Sequence, residues 1–221
     1  QWRKRAGRGA AGPALNPLEE QPFSLTSEGW LLEGAMHEGT GALAAVVLHP
    51  HPQYGGDMDS HVVTSICAAL AAKGGATLRF NFRGAGRSEG HFDHGRGEAN
   101  DARCAVHAVR DAAPGAPLLL VGYSFGAMIA ASIADEVHPA AMMLVSPPLG
   151  MASLAPLDAR VPTLIITGER DEMAPAAAVR ALAGGRHRAV VVEGADHSWW
   201  PGCEALIREV ENFVDSLAYR V

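Results

Sequence analysis

From residue 23 onward, short aliphatic runs alternate with longer Ala-rich stretches whose apolar residues recur at helical spacing. Segments 43–48, 76–80, 118–121, 141–145, 163–167 and 189–192 are predominantly apolar without the in-out alternation of a half-wet sheet. Such runs belong to strands covered on both faces, as in a parallel sheet. Segments 23–26 and 30–36 flank Ser27-Glu28-Gly29 and read as a hairpin. Helices are predicted over 58–73, 98–112, 125–137, 174–183 and 203–217. Eight strands interleaved with five helices, with no internal repeat or long linker, predict one α/β domain over residues 23–221. Its core is a doubly wound, mostly parallel eight-stranded sheet.

Residues 1–22 differ. Arg3, Lys4, Arg5 and Arg8 are followed by Gly, Ala and Pro rather than by the apolar stretch of a secretory signal. The segment reads as a basic, flexible extension.

Composition narrows the class. A chain of 221 residues with 48% hydrophobic and 19% charged residues buries roughly 70% of its unfolded surface, so it needs neither disulfide nor metal. Cys67, Cys104 and Cys203 lie far apart without metal-ligand spacing, which points to a reducing, cytoplasmic setting. A net charge of -6 offers phosphate backbones little, so nucleic acid is not an expected partner. No apolar run approaches the ~20 residues that span a bilayer, and no membrane association is expected.

The candidate chemistry begins at Gly122-Tyr123-Ser124-Phe125-Gly126, between a predicted strand and a predicted helix. With 25 glycines the bare G-x-S-x-G pattern is weak, and its strand-turn-helix setting gives it meaning. A turn that sharp exposes the hydroxyl beside a helix N-terminus, whose free N–H groups favour developing negative charge. A serine becomes nucleophilic only beside a base, and the base needs an acid to orient it. Asp171 and His197 each lie on a loop beyond a later strand, at the sheet edge where open α/β folds place their ligands. Glu169, Glu172 and Asp158 stand close enough in sequence to compete with Asp171, while Asp196 adjoins the base.

His49-Pro50-His51-Pro52-Gln53-Tyr54 follows the third predicted strand. A tetrahedral intermediate needs two N–H donors, of which Phe125, after the nucleophile, supplies one. Pro50 and Pro52 have no N–H, leaving His51 as the expected second donor and Gln53 or Tyr54 as alternatives. His49 is expected to brace the loop. A rival reading takes His49 and His51 as metal ligands, but the ligand count is short and no eightfold barrel pattern exists. No metal and no cofactor are expected.

These residues resemble the α/β-hydrolase superfamily from about Phe23 onward. The Gly-rich turn Asn81-Phe82-Arg83-Gly84-Ala85-Gly86-Arg87-Ser88, together with His49-Pro50-His51-Pro52 and Gly55-Gly56, most resembles a compact bacterial subgroup related to dienelactone hydrolase. The resemblance implies hydrolysis of an ester, thioester or similar acyl bond through an acyl-enzyme, with Ser124 as nucleophile, His197 as base and Asp171 as acid. Only about 17 residues separate the strands ending at Val145 and starting at Thr163, too few for the cap that some relatives insert there. A lidless site is therefore expected, acting on a small-molecule ester or thioester as a monomer or homodimer. Tyr54, Leu149, Met151, Trp199 and Trp200 are its expected walls, suited to short acyl chains. Peptidase or cofactor-free perhydrolase activity on the same triad, and a non-catalytic binding role, are the alternatives.

Overall fold

The computed structural model describes residues 19–218, so most of the basic N-terminal extension, with Arg3, Lys4, Arg5 and Arg8, lies outside the described residues. The strands are β1 (Gln21–Ser27), β2 (Trp30–His37), β3 (Ala44–Leu48), β4 (Ala76–Phe80), β5 (Leu118–Tyr123), β6 (Ala141–Val145), β7 (Thr163–Gly168) and β8 (His187–Val192). The helices are α1 (His61–Ala72), α2 (Arg96–Ala112), α3 (Phe125–Val137), α4 (Ala176–Ala181) and α5 (Cys203–Ala218). They build one sheet in the order β1-β2-β4-β3-β5-β6-β7-β8, with the β1–β2 and β2–β4 pairs antiparallel and the other pairs parallel.

The continuous apolar runs have the cause inferred for them. Along β3, Ala44, Val46 and Leu48 pack under α2 and α3, while Ala45 and Val47 face α1 and α5. In β5, Leu118 and Leu120 divide in the same way from Leu119, Val121 and Tyr123. Every one of these residues is buried, and each large aliphatic side chain so placed contributes about 1.5–3 kcal/mol.

Several boundaries differ from expectation for local reasons. β1 starts at Gln21, because Gln21 and Pro22 pair with Met36 and Ala35, and Glu20 beside them forms an ion pair with Arg79 of β4. α1 starts at His61 rather than at residue 58. Met58 N–H donates to Asn81 Oδ1 and Asp59 N–H to Asp57 Oδ1, so these residues form a turn instead of a first helical turn. α4 starts after Pro175, because the N–H of Ala174 donates to Asp171.

Behind the turn at 81–88, Arg83 is buried against Asp101 of α2 at 2.7 Å and also reaches Glu28 at 2.8 Å. Removing one member would leave a buried charge uncompensated. The 146–162 connection contains no helix or strand, and no cap domain is inserted there. Among the described residues no helix is long and apolar enough to cross a membrane.

Candidate active site

β5 runs straight into α3 through Ser124, whose backbone has φ 55° and ψ -117°, a region non-glycine residues avoid. The glycines of the motif are required by close approach. A Cβ on Gly122 would lie 2.2 Å from the Gly126 carbonyl oxygen, and one on Gly126 would lie 2.3 Å from that of Leu48. The strained turn is pinned by Ser124 N–H donating to the Val145 carbonyl at 2.8 Å.

The three residues expected to act together do meet. Ser124 Oγ lies 2.9 Å from His197 Nε2, and His197 Nδ1 lies 2.9 Å from both carboxylate oxygens of Asp171. An ionised carboxylate only accepts, so Nδ1 carries the imidazole proton and Nε2 presents its lone pair to the serine hydroxyl. Asp171 Oδ1 also accepts from the N–H groups of Met173 and Ala174, at 3.0 and 2.9 Å. Burial opposes ionisation of Asp171, but hydrogen bonds from His197 and the Ala174 N–H help to outweigh it and hold the carboxyl below its usual range. The backbone of His197 is fixed in turn by the Tyr123 hydroxyl, which donates to its carbonyl at 2.6 Å.

The competing acids are occupied elsewhere. Glu169 accepts from the Gly194 N–H, Asp158 pairs with Arg160, Glu172 is exposed, and Asp196 accepts from Ser198 and Trp199.

The β3 loop shows which amide is free. Gln53 N–H donates to His51 Nδ1, Tyr54 and Gly56 N–H to the His51 carbonyl, and Gly55 N–H to that of Pro52. Among the described residues, no acceptor bonds the N–H of His51 or of Phe125. His49 braces the loop: its Nε2 accepts from Phe82 N–H at 3.0 Å, so its Nδ1 is the protonated nitrogen and donates to the Pro50 carbonyl at 2.6 Å. Burial pushes the His49 pKa down to about 4. With both ring nitrogens engaged, His49 has no lone pair for a metal. No group of three or more His, Cys, Asp or Glu among the described residues is placed to hold one.

The expected walls divide. Tyr54 is exposed and its ring lies 4.7 Å from that of His51, which also packs on Phe92 at 4.7 Å and Phe125 at 4.9 Å. Met151 is exposed, and Leu149 is half-buried against the α2–α3 core. Their segment is tied to the acid loop by Gly150 N–H donating to Met173. Trp200 is exposed and stacks on His61 at 4.1 Å.

Trp199 requires a correction. It is completely buried in the core between the sheet and α1 and α5, so it offers a substrate no surface. Its backbone, at φ 60°, turns it away from Trp200 into the interior. Phe92 carries no sequence signal, because its segment reads only as a loop. Tyr123 and Ser146 carry a weak signal, each being a polar residue at the carboxyl end of a strand. Hollows of about 360, 380 and 490 Å³ open elsewhere on the surface, and none is lined by Ser124, Asp171 or His197.

Comparisons with known proteins agree with this architecture. Residues 44–214 match the family model described as an alpha/beta hydrolase domain. An uncharacterised protein of Rickettsia prowazekii (strain Madrid E) is 32% identical over 203 residues, covering 83% of this chain and 84% of the relative. A crystal structure from Xanthomonas campestris, described as an α/β serine hydrolase without a lid, is 30% identical with a TM-score of 0.81, covering 92% of this chain and 97% of that one. An α/β serine hydrolase homologue from Coxiella burnetii is 32% identical with a TM-score of 0.77, covering 87% and 96%. The sheet order, the serine turn and these matches together establish that the chain belongs to the alpha/beta hydrolase family.

Proposed function

We propose that this protein is a serine hydrolase that cleaves carboxylic esters or thioesters of small acyl groups through an acyl-enzyme. The carrying observation is the unbroken hydrogen-bonded line from Asp171 through His197 to Ser124, with the serine on a strained turn at a helix N-terminus. His197 Nε2 accepts the Ser124 proton as Oγ attacks the acyl carbon. The tetrahedral oxyanion is received by the N–H groups of Phe125 and His51, which have no other acceptor among the described residues. Collapse expels the alcohol or thiol, protonated by His197, and water repeats the sequence on the acyl-enzyme.

Acyl size follows from the surroundings. The exposed and half-buried rings of Tyr54, His51, Phe92 and Phe125 make a shallow apolar border beside Ser124, and the 146–162 connection adds no lid. Short chains meet this border, whereas longer ones extend into water. The experiment is hydrolysis of an acyl-length series of chromogenic esters and thioesters by wild type and Ser124→Ala. The reading requires activity in the first and its loss, with the fold intact, in the second. Equal activity in both would remove Ser124 from the mechanism.

A further inference from the structure

The glycine-rich turn at 81–88 supplies no member of the triad, yet its first two residues hold both ends of the β3 loop. At the start of the loop, Phe82 N–H donates to His49 Nε2 at 3.0 Å. At its far end, Met58 N–H donates to Asn81 Oδ1 at 2.8 Å. Asn81 is buried and is itself fixed from several sides. Its N–H donates to the Glu33 carbonyl at 2.9 Å, its carbonyl accepts from Ser88 Oγ at 2.7 Å, and its Nδ2 donates to the Glu33 carboxylate at 2.6 Å. That carboxylate also accepts from the backbone N–H and the Nε of Arg87, each at 2.6 Å. Gly86, at φ 52°, makes room for the pairing: a Cβ there would lie 2.2 Å from Asn81 Nδ2 and 2.3 Å from Glu33 Oε1.

The grip on Met58 reaches His51 through bonds within the loop. Two residues before Met58, Gly56 N–H donates to the His51 carbonyl at 3.0 Å, and a Cβ on Gly56 would lie 2.4 Å from the Pro50 carbonyl oxygen. That Pro50 carbonyl belongs to the same planar peptide as the His51 N–H, and His49 Nδ1 donates to it at 2.6 Å. Fixing one end of a planar peptide fixes the direction of the other.

We propose that Asn81, locked by Glu33, is a positioning residue for the oxyanion: it clamps the far end of the β3 loop, so that the His51 N–H keeps its aim. The proposal rests on the serine-hydrolase reading above. Asn81 acts through the loop and not on substrate. Its residue type follows from the two partners, since the side chain must accept from Met58 and donate to Glu33 at once. Aspartate would keep the first bond and reverse the second. Two carboxylates so close hold one shared proton, which leaves as pH rises and turns the bond into a repulsion. The other charged groups on this side are Arg87 of the same turn and Asp59, next to Met58 in sequence and paired with Arg79 of β4.

The test compares Asn81→Asp, Glu33→Ala and the double variant with wild type in kcat and KM for a short ester across pH, with Tm and circular dichroism at each pH. In Asn81→Asp, kcat relative to wild type should be highest at the acid end, where the pair keeps its proton. It should then fall by about tenfold to a hundredfold as pH rises, less than the full loss of an oxyanion donor. KM should stay unchanged, because the oxyanion forms only in the transition state. Glu33→Ala should lower kcat by about threefold to tenfold at every pH. The double variant should lose the pH dependence of Asn81→Asp, because no second carboxylate remains. A ratio to wild type that stays flat with pH, with only Tm lowered, would overturn the clamp while leaving the triad standing. If Asn81→Asp does not fold, Glu33→Ala decides: reduced kcat at unchanged KM supports the clamp, and wild-type kcat overturns it. A wild type that neither hydrolyses esters nor labels with a fluorophosphonate would overturn the hydrolase reading and the clamp together.

Discussion

Replacing Gly126 by alanine tests how closely the nucleophile turn and the β3 loop are built against each other. On helix propensity alone the change should stabilise α3 by about 1 kcal/mol. Sterically it cannot, because the new Cβ would lie 2.3 Å from the Leu48 carbonyl oxygen, 2.7 Å from the Leu48 carbonyl carbon and 2.8 Å from the His49 oxygen. All three are backbone atoms. Leu48 is held in the ladder opposite Gly122, and His49 is held by its bonds to Phe82 and Pro50, so no flexible side chain can yield. Reaching ordinary contact requires a retreat of roughly 1 Å, and overpacking of this kind costs about 1–3 kcal/mol. The net expectation is a loss of up to about 2 kcal/mol of stability, with no gain. The same retreat would carry the His51 N–H away from the oxyanion that the proposed mechanism assigns to it. Loss of one such donor lowers kcat by about 10² to 10³. The assay is kcat on a short nitrophenyl ester with urea unfolding of the same sample. Wild-type kcat together with raised stability would refute this packing of α3 on the loop.

Four further outcomes are expected. Asp171→Asn should fold normally and lose about 10⁴ in kcat, because an amide no longer fixes the Nδ1–H tautomer of His197; kinetics alongside circular dichroism checks both halves. Urea-derived stability should fall by about 3 kcal/mol as pH drops from 6.5 to about 4, because the native state keeps His49 neutral while the unfolded chain takes up the proton. The part of that pH slope due to His49 should be absent from His49→Gln. Across the ester series, kcat/KM should rise by no more than about fourfold per methylene and level off beyond about six to eight acyl carbons, earlier still in Phe92→Ala. Hydrolysis should survive exhaustive dialysis against chelator, and a loss restored by zinc or manganese would move the chemistry to a metal.

The parallel strands were legible because burial on both faces leaves an unbroken apolar signal, as in 141–145, where the expected and observed bounds coincide. Element ends were less legible, because tertiary partners decide them. Asn81 of the neighbouring turn takes the N–H of Met58, and the sequence around residue 58 carries no trace of that. Among the candidate site residues, the meeting of Ser124, His197 and Asp171 was readable, since each follows a strand in a glycine-rich loop. The separation of Asp171 from Glu169 was also consistent with local chemistry, because only the former can bind the Met173 and Ala174 N–H groups of its own turn. Trp199 and Trp200 were not separable. Adjacent indoles have identical composition, and the one that turns inward meets Ser146, more than fifty residues away in sequence. The ring cluster around His51 was hidden for the same reason, since Phe92 reaches it from a loop that has no period.

The central claim is that Ser124 is the acylated nucleophile. The direct measurement is intact-mass and peptide mapping of the protein trapped with a fluorophosphonate or caught early in turnover of a slow ester. The account requires a single adduct on the peptide bearing Ser124, absent from Ser124→Ala and slowed by orders of magnitude in His197→Ala. An adduct on any other residue, or undiminished labelling of Ser124→Ala, would contradict it.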